Sequence, residues 1–114
     1  MNCGAATDTG RVRERNEDRY WADPERGVFL VVDGVGGSAA GEVAAETAVE
    51  VIRQCRLDRE DDIRAAIACA NNRIYSLAGE SADRTGMACV LTLAVVHDGD
   101  VLIGHVGDSR LYLI

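Results

Sequence analysis

Five consecutive apolar residues, Val28-Phe29-Leu30-Val31-Val32, run directly into Asp33-Gly34-Val35-Gly36-Gly37, and this junction constrains the fold more than any other feature of the chain. β-branched and aromatic residues in so short a run favour a buried strand. The glycines support neither a strand nor a helix interior, so the strand is expected to end at Val32 and give way to a loop. Ser38 then offers an N-cap, and Ala44, Ala48, Val51, Ile52 and Cys55 recur at helical spacing to about Arg56. A strand, an uncovered backbone turn and an amphipathic helix are thus expected in immediate succession.

The remaining pattern is compatible with one domain. Tyr20 and Trp21 lead through Asp23-Pro24 into the apolar run, which predicts two strands joined by a turn. Asp58 is placed to cap a second helix, in which Ile63, Ile67, Ala70, Ile74 and Leu77 keep a three-four spacing as far as Gly79. Strands are predicted over 88–96 and 101–106 around the hairpin signal Asp98-Gly99, with a third run at 111–114 after Gly107-Asp108-Ser109-Arg110. At 114 residues and 47% hydrophobic content the chain has enough apolar surface for one core.

Charge and cysteine usage narrow the function classes. A net charge of -7 with no compensating basic run argues against nucleic acid and against anionic membrane surfaces as partners. Cys3, Cys55, Cys69 and Cys89 form no CxxC pair and are expected to be reduced, buried thiols. The start, MNCGAATDTGRVRERNED, has no apolar targeting core, and no stretch approaches the roughly 18 apolar residues of a membrane span, so a cytoplasmic location is expected.

Three places could carry chemistry. Asp33 stands at the end of a rigid strand, where its carboxylate and the bare Gly34 carbonyl could meet one hard cation, although Asp-Gly alone also makes ordinary turns. Asn16-Glu17-Asp18 sets two acids before the first strand, behind Arg11, Arg13 and Arg15. Carboxylates can orient metal-bound water while an arginine fork matches phosphate oxygens, though a solvated charged turn would look the same. Asp108 and Arg110 occupy a tight connection between apolar strands. His97 and His105 have no serine or acid at triad spacing and are assigned no catalytic role.

Taken in order, GRVRERNED, VVDGVGGSAAGEVAAETA, a strand start containing Gly86-Met87, and VGDSRLYL resemble the successive N-terminal motifs of the PPM (type 2C) metal-dependent protein serine/threonine phosphatases. The resemblance implies an α+β fold, a four-layer α/β/β/α sandwich of two antiparallel sheets flanked by helix pairs. Residues 1–114 would form the N-terminal half, with one helix pair and part of both sheets. It implies that Asp33 bridges two Mg²⁺ or Mn²⁺ ions and that the Gly34 carbonyl binds one of them. It further implies that Glu17 and Asp18 hold metal-bound waters, that Asp108 serves a third, weaker metal, and that Arg13 holds the substrate phosphate. The implied reaction is hydrolysis of phosphoserine or phosphothreonine in proteins, the products of serine/threonine kinases, by a metal-bridging hydroxide. Two ions about 3.5 to 4 Å apart acidify the shared water and steady the leaving group.

The chain departs from the family pattern at Val35, where many members have histidine, so water is the expected leaving-group acid. It departs again at Ala88-Cys89-Val90, where glycine and threonines are usual. The family's other metal aspartates are expected in a C-terminal half beyond Ile114, so residues 1–114 alone are expected to be inactive. Two other readings compete. A non-catalytic pseudophosphatase or regulatory fragment would keep the fold and bind partners. A dinucleotide-binding protein would use Gly34-x-Gly36-x-x-Ala39, but Asp33 would repel the pyrophosphate, and a second helix follows where a βαβ unit needs a strand.

Overall fold

Alternation along the strands decides which way each side chain points, and the computed structural model, which describes residues 1–114 except Ser38, follows that alternation closely. Strands β1 (Asp18–Asp23), β2 (Val28–Val35), β3 (Ala88–His97) and β4 (Asp100–Val106) form one antiparallel sheet in the order β1-β2-β3-β4. Helices α1 (Ala40–Arg53) and α2 (Glu60–Glu80) lie between β2 and β3 in sequence, and a 3-10 turn at Ala82–Arg84 leads into β3. The expected mixed fold with a helix pair is present. All four strands belong to a single sheet, however, where part of two was expected.

One face of the sheet carries Val28, Leu30, Val32, Leu91, Leu93 and Val95, all at most 4% exposed, against the two helices. The helices meet this face largely through alanine: Ala40, Ala44, Ala45 and Ala48 of α1, and Ala66 and Ala70 of α2. Small side chains let the backbones approach, while Ile52, Ile63 and Ile74 fill the remaining volume. A Cβ on Gly104 of β4 would come within 2.7 Å of Ile63 and 2.9 Å of Ile67, so glycine there is what seats α2 on the sheet. The other face presents Tyr20, Val31, Val35, Val101 and Ile103, each 44–53% exposed.

The turns follow their residue chemistry. At the β1–β2 hairpin Gly27 adopts φ +69°, and the Asp23 carboxylate accepts from the Arg26 amide at 3.1 Å. Asp98 and Gly99 both take positive φ at the β3–β4 hairpin, the conformation that tight two-residue hairpin loops require. Every strand pair is antiparallel, so no βαβ crossover exists among the described residues and the dinucleotide reading fails.

Four local expectations need correction. Asp33, Gly34 and Val35 are strand residues: Asp33 pairs with Asp18 and Val90, while Gly34 and Val35 pair only with Cys89 and Ala88 of β3, and that ladder, with the Gly34 amide donating to the Glu17 carbonyl, overrides the glycine preference. The second helix is capped at Arg59 rather than Asp58, because the Asp62 carboxylate turns back to accept from the amides of both. The run 111–114 forms no strand; Leu111 instead lines an opening on the exposed sheet face together with Tyr20, Phe29 and Thr92. Cys3 and Cys69 are exposed, and only Cys55 and Cys89 are partly buried; all four are free thiols. The helix cap assigned to Ser38 lies outside the described residues.

Candidate active site

The site forms where β1, β2 and the turn after β4 converge at one end of the exposed sheet face. Asp18 and Asp33 are direct partners across the β1–β2 ladder, and a two-residue side-chain period puts both carboxylates on the face away from the helices. The consequence is a carboxylate pair. Asp33 is raised above its ordinary 3.8 by partial burial first, then by the charge of Asp18, a hydrogen bond with it, and the charge of Asp108. The nearby Arg13 guanidinium pulls in the opposite direction. Residues widely spaced in sequence, Arg13, Asp18, Asp33 and Asp108, are therefore electrostatic neighbours. An opening of about 200 Å³ beside them is lined by Thr7, Asp18, Tyr20, Val31, Asp33 and Ser109.

The segment bearing the acids is held by contacts that local sequence does not reveal. The Asn16 side chain accepts from the Asp18 amide at 3.0 Å and donates to Thr7 Oγ1 at 2.8 Å. Arg19 donates to the carbonyls of Asn16 and Asp18, both at 2.7 Å, and pairs with Glu46 of α1 at 2.9 Å. Arg15 pairs with Glu42 of α1 at 3.3 Å. Among the described residues Arg13 enters no ion pair, so its fork is open to a ligand, unlike that of Arg15.

Gly34 brings the two halves of this arrangement together. Its amide donates to the Glu17 carbonyl at 3.0 Å, and a Cβ at this position would fall on the Gly41 carbonyl oxygen of α1 and stand 2.8 Å from the Glu17 oxygen. No side chain fits where strand, helix and acidic segment meet. Glycine is needed here for close backbone approach, since the residue lies inside a strand.

The turn carrying Asp108 is fixed from the sheet. Gly107 has φ +97° and abuts Val90, and Ser109 Oγ lies 2.6 Å from the hydroxyl of Thr92, which is only 4% exposed. Thr92 Oγ1 also lies 2.9 Å from His105 Nδ1, so His105 has a structural partner. Cys89, beside Gly34 in the β2–β3 ladder, is held in its thiol form by burial and by the charge of Asp33, which makes it a poor nucleophile. Among the described residues no three carboxylate, imidazole or thiolate side chains are close enough to enclose an ion by themselves.

Residues 10–114 match the sequence pattern of the protein phosphatase 2C family. The chain belongs to that family. The serine/threonine phosphatase stp of Listeria monocytogenes serovar 1/2a is 32% identical to it over all of this chain and 50% of that protein. The structure of the Mycobacterium smegmatis PPM Ser-Thr phosphatase MsPP in complex with cacodylate superposes with a TM-score of 0.80 at 32% identity, over 91% of this chain and 44% of that one. The catalytic domain of PstP in complex with two manganese ions gives a TM-score of 0.81 at 30% identity, over 90% of this chain and 46% of that one. The chain thus spans about half the length of the curated relative and the solved structures it matches. Its sheet and helix pair correspond to the N-terminal half of that fold. No helix is long and apolar enough to cross a membrane among the described residues.

Proposed function

We propose that the protein hydrolyses phosphoserine and phosphothreonine in protein substrates with the help of divalent cations, Mg²⁺ or Mn²⁺. One observation carries the proposal: Asp18 and Asp33 are paired across the β1–β2 ladder, and the charges of both Asp18 and Asp108 act on Asp33 beside Arg13, which enters no ion pair among the described residues. Like charges gathered at one exposed site repel one another unless a proton or a cation stands between them. The Asp33 carboxyl is pushed above its ordinary range first by partial burial and then by the charges of Asp18 and Asp108, a setting in which a proton or a cation at Asp33 is favoured. The donor set fits a hard cation, being all oxygen, with a strand backbone left bare at Gly34.

Asp33 and the Gly34 carbonyl would hold the ions directly, and Asp18, Glu17 and Asp108 would hold water around them. When bound, two such ions acidify water and neutralise charge on the phosphoryl oxygens. Arg13 binds and orients the phosphate of the substrate, a role suited to a planar fork that no carboxylate occupies. Arg15 and Arg19 tie the acidic segment to α1 and Asn16 holds the Asp18 amide, so the carboxylates are in place before substrate arrives. Val35 supplies no proton, which leaves solvent as the donor to the departing serine or threonine. Residues 1–114 correspond to part of the catalytic domain, and the remaining ligands would come from the rest of it.

The test is Asp33→Asn in the full native protein, assayed on a phosphothreonine peptide with Mn²⁺. Loss of turnover with an unchanged circular dichroism spectrum is expected, and retained metal-dependent turnover would refute the assignment. A native protein that binds the phosphopeptide without hydrolysing it would favour the non-catalytic reading instead.

A further inference from the structure

Glu17 is held in an unusual way. Its neighbours on both sides are tied to α1, Arg15 through Glu42 and Arg19 through Glu46, and its own carbonyl is fixed by the Gly34 amide. The backbone at Glu17 is thus fixed through its own carbonyl, which leaves its long side chain as the part that yields most easily. That side chain, half-buried, lies against the first turn of α1. A Cβ on Gly41 would stand 2.6 Å from Glu17 Oε2, 2.7 Å from Cδ and 3.1 Å from Cγ. Helical Cβ atoms tilt toward the N-terminus, so any side chain at this position would point into the space that the carboxylate occupies.

We infer that Gly41 is a positioning residue for the metal site: the missing side chain at this helical position is what admits the Glu17 carboxylate to its place. This rests on the proposed role of Glu17 in holding water around the cations. The physical consequence is specific. The clashing atoms are the far end of a flexible side chain, so a methyl group at 41 displaces the carboxylate and leaves the backbone where it is. Alanine is also the better helix former, so α1 itself gains from the exchange. Gly34 is a different case, because a Cβ there meets backbone oxygen atoms that cannot rotate away. One glycine is required by the chain path, the other by the position of a single carboxylate.

A double-mutant cycle on the full native protein separates these effects, with Mn²⁺ affinity measured by titration calorimetry and the metal-free melting temperature measured in parallel. Disturbing a group that orients metal-bound water lowers metal affinity by about 10- to 100-fold. Glu17→Ala and Gly41→Ala should each weaken Mn²⁺ binding within that range. The double variant should bind no more weakly than Glu17→Ala alone, because the methyl group then has nothing to displace. Gly41→Ala should leave the metal-free melting temperature unchanged or higher; if it folds only when Glu17 is also alanine, the steric link is equally supported. Wild-type Mn²⁺ affinity in Glu17→Ala overturns the metal role of Glu17 and this inference with it. A Glu17 effect accompanied by wild-type affinity in Gly41→Ala, by fully additive losses, or by an equal loss of metal-free stability in both backgrounds overturns the inference alone.

Discussion

Arg13→Ala separates phosphate binding from metal binding, and the structure supplies a reason for each half of the expected result. The Arg13 fork enters no ion pair among the described residues, so in its proposed role its loss would remove a charge-assisted hydrogen bond to the phosphate without first releasing an internal partner. Such a bond contributes about 1.5 to 3 kcal/mol, which raises KM about 10- to 150-fold. Arg15 is already committed to Glu42 in an exposed pair at 3.3 Å, a contact worth roughly 0.2 to 1 kcal/mol, and its removal should change KM little. Metal affinity should not fall in Arg13→Ala. The guanidinium lowers the pKa of Asp33, which favours the bare carboxylate over the protonated one, but it repels a dication twice as strongly as a proton. Its removal therefore leaves Mn²⁺ binding unchanged or tighter. Initial rates over a range of phosphopeptide concentration, with Mn²⁺ titrated calorimetrically, read both quantities in the full native protein. A KM change below threefold, or equal changes in Arg11→Ala, Arg13→Ala and Arg15→Ala, would show that no single fork holds the phosphate.

Three further outcomes are expected. The metal-free protein should lose stability as pH rises above the ordinary 3.8 of Asp33 and through its raised folded value, since the folded state holds that proton more tightly than the unfolded state does; Asp33→Asn should flatten this slope in urea titrations across pH 3 to 7. Gly34→Ala should destabilise the domain by about 1 to 3 kcal/mol in thermal melts, because its Cβ must displace backbone of α1 and of the acidic segment. Purified residues 1–114 should show no Mn²⁺-dependent hydrolysis of an aryl phosphate above buffer, given that no three side-chain ligands enclose an ion among the described residues, whereas turnover abolished by Asp33→Asn would refute this.

The sequence carried the elements and their order because each has a local cause: alternation for the strands, alanine and isoleucine spacing for the helices, Asp-Gly for the β3–β4 hairpin. It also pointed to Arg13, Glu17, Asp18, Asp33, Gly34 and Asp108 through their motifs. Of these, the structure brings Arg13, Asp18, Asp33 and Asp108 into one electrostatic group and places Glu17 and Gly34 against α1. What it did not reveal depends on long-range approach. Arg19 and Glu46 are 27 residues apart, and Thr92 and Ser109 are 17 apart, with nothing in the local pattern to mark either pair. Gly34 suggested a loop because local preference says nothing about the β3 ladder and the Glu17 carbonyl that hold it in the strand, whereas Gly36 and Gly37 do lie beyond the end of β2. Gly41 looked like one more small residue in an alanine-rich helix, and only its distance to Glu17 distinguishes it.

The unequal anchoring of the acidic residues has a kinetic consequence. Asp33 lies on β2, an inner strand, and moving its backbone means opening the ladders to β1 and β3 together. Asp108 sits in a turn outside the strand ladders, held to the sheet by the contact between Ser109 and Thr92 hydroxyls and by Gly107 against Val90. Openings of those two kinds differ widely in free energy, so hydrogen exchange at Asp33 should report near-global unfolding while the turn exchanges through small local excursions. An ion held at Asp33 would then leave slowly, and one held through Asp108 would come and go with each fluctuation of the turn.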